Sequence, residues 1–512
     1  MFNLTGFSIN AEIAKVKYFI SKKFIPIVVD RNSNFIVWGF GNLDKYQDTF
    51  HHNSLTDLFD RNLKIEIKAK EIKIYNDWLG SIPIFYNSKN YVISTNINLC
   101  KQDDEFDTNG LNDYLRFGYC FNTKTPYKNI YFLEPFSELI YTRKAIEIKK
   151  KEIDFESHLI PNSDPVEIIK DIKNDIDSKV MDKKIILPLS GGYDSRMLAY
   201  LCRNKEISAF TYGISHDRRK SKETVFAKKI SEILNISWEE IPLNEFYKYS
   251  DIWLKYFGPS THLHGMYHIE FYQKVLERLG VDSIENSIIL SGIVGDIWAR
   301  SHEIKFKKEN FDPQIFSFSH GVAIKKGSKL LGKNLEIKYE NFYLENEDLI
   351  NNPSLHPILI VRTKIMLLSY LLSIPESIGY KTVTPFLNFK IVLNILSLNS
   401  TQKNERSWQS NFFKQKSIYV EDLNLDFTNQ NVLDLMAIDF KYVKLKNYNK
   451  LKKIKLSYLH FCLLNFSIFI FSILKKVRLL KFMIYSSRFN KLFLSKILIP
   501  YFLVKPFDSY DR

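Results

Sequence analysis

Ile185-Ile186-Leu187-Pro188-Leu189-Ser190-Gly191-Gly192-Tyr193-Asp194-Ser195 is the stretch that decides how this chain folds. Its first five residues form a short apolar run of strand type, the glycines turn, and from about Asp194 an apolar pattern of helical spacing runs to about Asn204. Strand, turn and helix in that order open a crossover unit of an α/β fold. Two adjacent glycines let the backbone turn tightly and come close to an anion. The free amides at the helix start and the hydroxyls of Ser190 and Ser195 can bond phosphate oxygens. Asp194 sets a carboxylate beside that anion site, which makes chemical sense if it holds a magnesium ion shared with a pyrophosphate. A glycine turn that only caps a helix is the plainer reading of Ser190-Gly191-Gly192; its place directly after an apolar strand weighs against that.

Working outward, apolar strands alternate with helical patterns from about Leu159 to Phe427. After IILPL come SAFTYG (208–213), a helical stretch Ser221 to Leu234, ISWEEI (236–241), a helix from about Met266 to Leu279, and SIILSG (287–292). The alternation predicts a parallel sheet with crossover helices over residues 159–427. Residues 1–150 read differently. Strand-like runs PIVVD (26–30), FIVWGF (35–40), IKIYNDWLGSIPIFYN (72–87) and YVISTN (91–96) are separated by turn residues, which predicts a layered, mostly antiparallel α+β domain. Residues 441–512 form a basic, aromatic tail.

The chain has 512 residues, 45% hydrophobic and 15% aromatic, enough for two to three domains with buried cores. Cys100, Cys120, Cys202 and Cys462 lie far apart with no CxxC pair, so neither a zinc site nor a disulfide framework is indicated, and a reducing compartment is the simplest setting. The opening MFNLTGFSINAEIAK lacks the pattern of a secretory signal, and a cytoplasmic protein is expected. The net charge of +15 suggests nucleic acid until its distribution is counted: 56 basic against 55 acidic residues from Met1 to Phe440, and 16 against 2 from Lys441 to Arg512. Nearly all the excess is in the tail, where it flanks an uncharged apolar run; that pattern suits anionic lipid better than nucleic acid.

The loop Ser190 to Ser195 resembles the SGGxDS loop of the ATP-pyrophosphatase (PP-loop) families and lacks the GxxxxGK[ST] spacing of kinases and GTPases. The resemblance implies cleavage of ATP between its α and β phosphates. Further stretches are similar to asparagine synthetases. Asn109 to Tyr119, followed by Tyr127 to Ile130, looks like that family's connector between domains; Asp77 to Tyr86 is similar to its DxxGxxPLYY strand, and Thr384 to Leu387 to its VPFLD segment. The likeness covers roughly residues 60 to 420. It implies an ATP- and Mg2+-dependent ligase that adenylates a carboxylate and forms an amide with ammonia or an amine. A lactam-forming cyclase of the same family is an alternative.

The resemblance also assigns residues. Ser190, Gly191, Gly192, Asp194 and Ser195 would hold pyrophosphate and magnesium. In the family a second strand ends in SGEGxDE, matched here by Ser291-Gly292-Ile293-Val294-Gly295-Asp296: Ser291 and Gly292 would touch the nucleotide, and Asp296 would share the metal as a second catalytic carboxylate. Ile293 stands where the family has a glutamate, and an isoleucine cannot transfer a proton. His262, His264 and His268 are candidate bases, or solvated residues at a helix start. Arg406, Lys414 and Lys416 lie where family members carry a lysine that neutralises pyrophosphate. Residues 1–150 would correspond to a degenerate glutamine amidotransferase type 2-like domain, because Phe2 stands where glutamine-dependent members expose a cysteine nucleophile. Glutaminase activity is therefore expected to be absent. A catalytically inactive paralogue serving as a binding or scaffold subunit is the competing reading, motivated by Phe2 and Ile293; the intact loop and Asp296 argue against it.

In the tail, Leu456 to Leu474 is an uncharged run near the ~20 residues that cross a bilayer. Lys452, Lys453 and Lys455 precede it, and Lys475, Lys476, Arg478 and Lys481 follow. Spanning would export a strongly cationic end, against the positive-inside tendency. The run is expected to lie on the inner face of the membrane, near a lipid-linked carboxylate such as a sugar acid of surface-polysaccharide assembly, or else to be a core helix.

Overall fold

The computed structural model describes residues 58–68, 71–103, 105–142, 145–300, 311–316, 339–437, 439–474 and 499–508, single residues at 304 and 308, and four strands within the first 39 residues. Met1 and Phe2, the basis of the glutaminase expectation, lie outside the described residues.

A mixed α/β fold results. Its centre is a five-stranded parallel sheet of β12 (Lys184–Pro188), β13 (Ile207–Thr211), β14 (Ser237–Glu240), β15 (Ser287–Leu290) and β16 (Lys381–Val383), in the order β14-β13-β12-β15-β16. Ile185, Leu187, Ile288, Ile289 and Leu290 are buried, as expected of strands covered on both faces. Helices Tyr193–Leu201, Lys222–Leu234 and Tyr267–Leu279 form the crossovers where the alternation placed them. β12 pairs with β13 on one side and with β15 on the other, so the strand order reverses at β12. The loops leaving β12 and β15 therefore diverge, and the crevice between them at the carboxyl ends is where open α/β sheets bind ligands.

Two antiparallel sheets come from the first 150 residues. One has the order β2-β1-β8-β7-β9, from Lys15–Phe19, Gly6–Asn10, Ile93–Ser94, Phe85–Asn87 and Ile130–Phe132. The other has the order β11-β10-β6-β5-β4-β3, from Ala145–Lys150, Ser137–Thr142, Glu71–Asn76, Asn62–Ile67, Phe35–Gly39 and Ile27–Asp30. Just after β6, Asp77 organises a tight turn. Its carboxylate accepts hydrogen bonds from Leu79 N (2.9 Å), Ser81 N (3.0 Å) and Ser81 Oγ (2.5 Å), while Gly80 takes φ +66°. The turn drives Trp78 into the body of the protein. Its Nε1 donates to Leu387 O at 3.0 Å, its carbonyl accepts from Arg362 Nη2 at 2.6 Å, and its ring meets Phe389 edge-on at 5.2 Å. One apolar cluster thus runs from Trp78 and Phe136 into Ile185, Leu198 and Phe389.

Pro353–Ile378 is long and apolar enough to cross a membrane, but 83% of its most apolar window is buried inside the protein. Its Glu376 takes a hydrogen bond from Arg61 Nη2 at 2.9 Å and another from Thr382 Oγ1 at 2.6 Å, which partners a charge that lipid would leave costly. The helix Ile499–Asp508 also belongs to the body: Tyr501, Phe502, Leu503 and Val504 are buried, and Asp508 accepts from Lys446 N at 2.8 Å and Asn447 N at 2.6 Å.

Candidate functional site

The Ser190–Ser195 loop is a glycine turn with two different glycines. Gly191 has φ +71°, and a Cβ there would stand 2.5 Å from Phe226 Cβ, so both backbone and space demand glycine. At Gly192 a Cβ would meet only Ser190 Oγ, at 3.3 Å, because that side of the loop faces a cavity. The helix Tyr193–Leu201 starts at Gly192 without a side-chain cap, which leaves its first amides for a ligand. Ser190 Oγ and Ser195 Oγ lie 3.2 Å apart and hold the turn between them.

The cavity measures about 610 Å³ and is lined by Ser190 to Tyr193 of this loop, by the cations Lys222, Arg300, Lys403 and Arg406, and by the carboxylates Glu223, Glu405 and Glu421. The four cations exceed the three carboxylates by one, Glu421 is held by Arg196, and the uncapped amides face the same space, which is of a size to take a nucleotide. Lys403 is buried, and burial pushes its ammonium down to about 8. Arg406 comes from a turn in which Glu405 (φ +47°) and Arg406 itself (φ +60°) are both left-handed, a strained arrangement at about 1–2 kcal/mol per residue. That backbone aims the guanidinium at the Asp194 carboxylate, with which it forms an ion pair. Gln409 joins them, donating to Asp194 Oδ1 at 3.2 Å and accepting from Arg406 Nε at 2.6 Å. Burial is the largest influence on Asp194 and pushes its carboxyl up; Arg406 opposes this and the nearby charge of Asp296 adds to it.

The second loop, after β15, explains its own glycines. A Cβ on Gly295 would stand 2.6 Å from Asp194 Cγ, and one on Gly292 would stand 3.0 Å from Ser195 N. Gly292 thus lies tightly against the Asp194–Ser195 backbone and Gly295 against the Asp194 side chain, which leaves no room for a Cβ at Gly295 unless the carboxylate moves. Between them Val294 takes φ +60°, which for a β-branched residue is a pronounced outlier. Asp296 sits exposed at the start of the short helix Gly295–Trp298, close enough for its charge to act on Asp194 and on Lys364. Lys364 is buried, and burial pushes it down to about 8 while Asp296 pulls it back.

Asp194 lies in the first turn of the helix after β12 and Asp296 in the short helix after β15, near enough for the charge of one to act on the other; Ser190, Gly191 and Gly192 line the cavity, and Asp194 and Asp296 are not among its lining residues. Ser195 lies just inside, behind Ser190. Ser291 and Gly292 are not among the lining residues: Gly292 backs onto Asp194 and Ser195, and Ser291 Oγ accepts from Ile293 N at 3.3 Å. Ile293 joins the apolar cluster. Of the three late cations, Arg406 reaches the site; Lys414, whose ammonium lies over the Tyr419 ring at 4.7 Å, and Lys416 are exposed and do not line the cavity. His262 is buried beside the Gly118 carbonyl and His268 stacks near Tyr267 at 4.2 Å; neither lines the cavity, and the His264 side chain lies outside the described residues.

Sequence reasoning missed Lys222, Arg300 and Lys403, which carry no motif. It also missed Arg196, one residue past the loop and fully buried. Arg196 donates to the Gly191 carbonyl at 2.8 Å and makes a two-pronged pair with Glu421 at 2.8 and 2.7 Å. Its guanidinium lies over the rings of Tyr193 and Phe413 at 5.2 and 5.0 Å.

Two carboxylates fit what Mg2+ takes from a protein when phosphates supply the remaining ligands. Among the described residues no group of three or more metal-binding side chains occurs, so the phosphates would have to complete the shell.

No family model matches the chain, and no curated protein does. Among solved structures, the NH3-dependent NAD synthetase of Campylobacter jejuni in complex with nitrate is 15% identical, covering 42% of this chain and 94% of its own, with a TM-score of 0.21. The NMN synthetase of Francisella tularensis is also 15% identical, covering 51% of this chain and 98% of its own, again with a TM-score of 0.21.

Proposed function

We propose that this protein is an ATP-dependent ligase of the asparagine synthetase type. In this reading a carboxylate oxygen of the substrate attacks the α-phosphorus of ATP, the bond to the bridging oxygen breaks, and pyrophosphate leaves. Ammonia or an amine then attacks the acyl carbon, AMP departs with the bonding electrons, and the nitrogen loses a proton. The observation that supports the reading is the uncapped glycine loop after β12, which opens on a cavity carrying Lys222, Arg300, Lys403 and Arg406, with Asp194 just behind it and near enough to Asp296 to feel its charge.

The residues divide the work. The loop amides, Ser190, Lys222, Lys403 and Arg406 take the departing pyrophosphate, on which negative charge builds up as the bond to the α-phosphorus breaks. Asp194 and Asp296 would hold magnesium, which supplies charge neutralisation to the phosphates. Ile293 supplies no base. In this reading the first 150 residues correspond to a degenerate glutaminase-like domain, and the nitrogen comes from ammonia or from an amine on the substrate. A sugar acid of surface-polysaccharide assembly is the acceptor class we favour.

A pyrophosphate-release assay tests this, with amino acids and nucleotide-activated uronic acids as carboxylates and ammonium as donor. Carboxylate-borne 18O should appear in AMP. Formation of ADP and phosphate instead would refute adenylation, and nucleotide binding without any turnover would favour the inactive scaffold paralogue.

A further inference from the structure

The helix Tyr458–Leu474 has no Lys, Arg, Asp or Glu and is apolar over most of its circumference, yet only half of it is covered. Leu464, Ile468 and Phe471 are buried against the body, and the helix is strapped there by polar bonds: Asn465 exchanges hydrogen bonds with Leu445 N (2.8 Å) and Leu445 O (3.1 Å), and Ser472 Oγ accepts from Phe440 N at 2.8 Å. The other half is bare. Tyr458, Leu459, Leu463, Phe466, Phe469, Ile470 and Ile473 are between 36% and 66% exposed. At about 100° per residue these seven, together with exposed Cys462, fall within about 140° of the helix circumference, and no charged residue interrupts them. A continuous apolar stripe of that length is far more than the scattered exposed side chains of an ordinary surface.

Cations stand at both ends of the stripe. At its start, Tyr448 of the helix Tyr448–Lys453 meets Tyr458 at 5.1 Å and Phe461 at 5.5 Å, and Lys452 and Lys453 of that short helix are exposed. Toward its far end, Phe440 meets Phe469 at 5.3 Å, and beside Phe440 stand exposed Lys441 and Lys444. From Lys441 to Arg512 the sequence has 16 basic and 2 acidic residues, and one of the two, Asp508, is buried on Lys505. We propose that this stripe lies in the plane of an anionic membrane, its apolar side chains among the acyl chains and its flanking lysines on the headgroups.

Geometry chooses this occupant over the others. Seventeen residues span about 26 Å, short of the ~30 Å hydrocarbon layer, and the strapped half prevents the helix from turning upright. A second copy would set the patch against itself about a two-fold axis, bringing the flanking lysines onto their own like charges. An anionic headgroup layer meets an apolar stripe with cationic ends without that conflict.

Cys462 gives a direct probe, because it is the exposed cysteine while Cys100, Cys120 and Cys202 are buried. The full-length protein, labelled there with a polarity-sensitive dye, is mixed with vesicles of phosphatidylglycerol and phosphatidylcholine, or of phosphatidylcholine alone. The anionic vesicles should bind it at least tenfold more tightly and shift the dye toward its apolar emission. Leu463→Glu with Phe466→Glu should abolish both signals. Lys441→Glu with Lys444→Glu and Lys452→Glu should weaken binding at least tenfold, an effect that salt mimics only in part. Equal binding to both vesicle types, retention by the Leu463→Glu/Phe466→Glu variant, or indifference to all vesicles would overturn the proposal. A dimer that this double variant splits, without vesicle binding, would assign the face to a second copy instead.

Discussion

Arg406 closes its guanidinium on the carboxylate of Asp194, 212 residues earlier in the chain, and Gln409 bonds to both. Under the proposed ligase reading, the pair puts a fixed cation beside the carboxylate that would share a metal with pyrophosphate. It also compensates a buried carboxylate that Asp296 would otherwise leave facing a like charge.

Asp194→Ala should therefore lower magnesium-dependent pyrophosphate release at least ~100-fold, roughly 3 kcal/mol of barrier, since a metal ligand goes from a site crowded with phosphate charge. Arg406→Lys, which keeps the cation but not the fork, should retain more activity than Arg406→Gln. Equal turnover in Asp194→Ala and the parent would remove the metal role altogether.

Gly295 offers a subtler intervention. A methyl group there would stand 2.6 Å from Asp194 Cγ, so Gly295→Ala should displace the carboxylate and cut turnover at least ~10-fold while the sheet still folds. Gly280→Ala is the matched control. Gly280 has φ +78° with nothing within 4 Å of a Cβ, so that change should cost about 1 kcal/mol of stability and leave turnover alone. Similar kinetic losses in both variants would show that the effect is general strain.

Arg196 reaches the reaction only through the loop it supports. Arg196→Lys forfeits the two-pronged bond to Glu421 and the stacking on Tyr193, and frees the Gly191 carbonyl. A loosened loop should raise KM for ATP about tenfold with a smaller change in kcat. Thermal stability should fall modestly, since Glu421 is part-exposed and tolerates loss of its partner. A variant that loses stability but keeps the parent's KM would make Arg196 structural alone.

Much of this was legible in the sequence, for reasons that can be named. β12, the loop and its helix came from an apolar run, two glycines and a helical period, all local signals; so did β13, β14 and β15. Asp194 and Asp296 were linked by the family resemblance, each following a strand and a serine-glycine turn by a few residues. The remaining residues are set by distant chain. Lys222 and Arg300 look like surface cations until the fold rings them around one cavity. Gly292 was expected to touch the nucleotide; a Cβ on Gly292 or Gly295 would meet Asp194 or Ser195 first, which only the approach of the two loops reveals. The half-bare face of Tyr458–Leu474 was invisible for the same reason: a helix apolar over most of its circumference carries no period that says which side the protein covers.

Asp113 gives a prediction independent of the ligase reading. It is buried, and burial pushes its carboxyl up to about 6, against the hydrogen bond from the Tyr339 hydroxyl (2.6 Å) and the charges of Lys124 and Arg116. Its ordinary value is 3.8. Between those values the folded state binds more protons than the unfolded one, so the stability this group contributes is fully present below pH 4 and is lost as pH rises through 6. Asp113→Asn keeps an oxygen to accept from Tyr339 and has no proton to lose. The stability of the variant relative to the parent should therefore rise between pH 4 and 7 by up to about 3 kcal/mol, the equivalent of two pKa units. Denaturant titrations of both proteins across that range measure the gap directly. A gap that stays constant with pH would mean that Asp113 is ionised normally in the folded protein, with Arg116 and Lys124 outweighing burial.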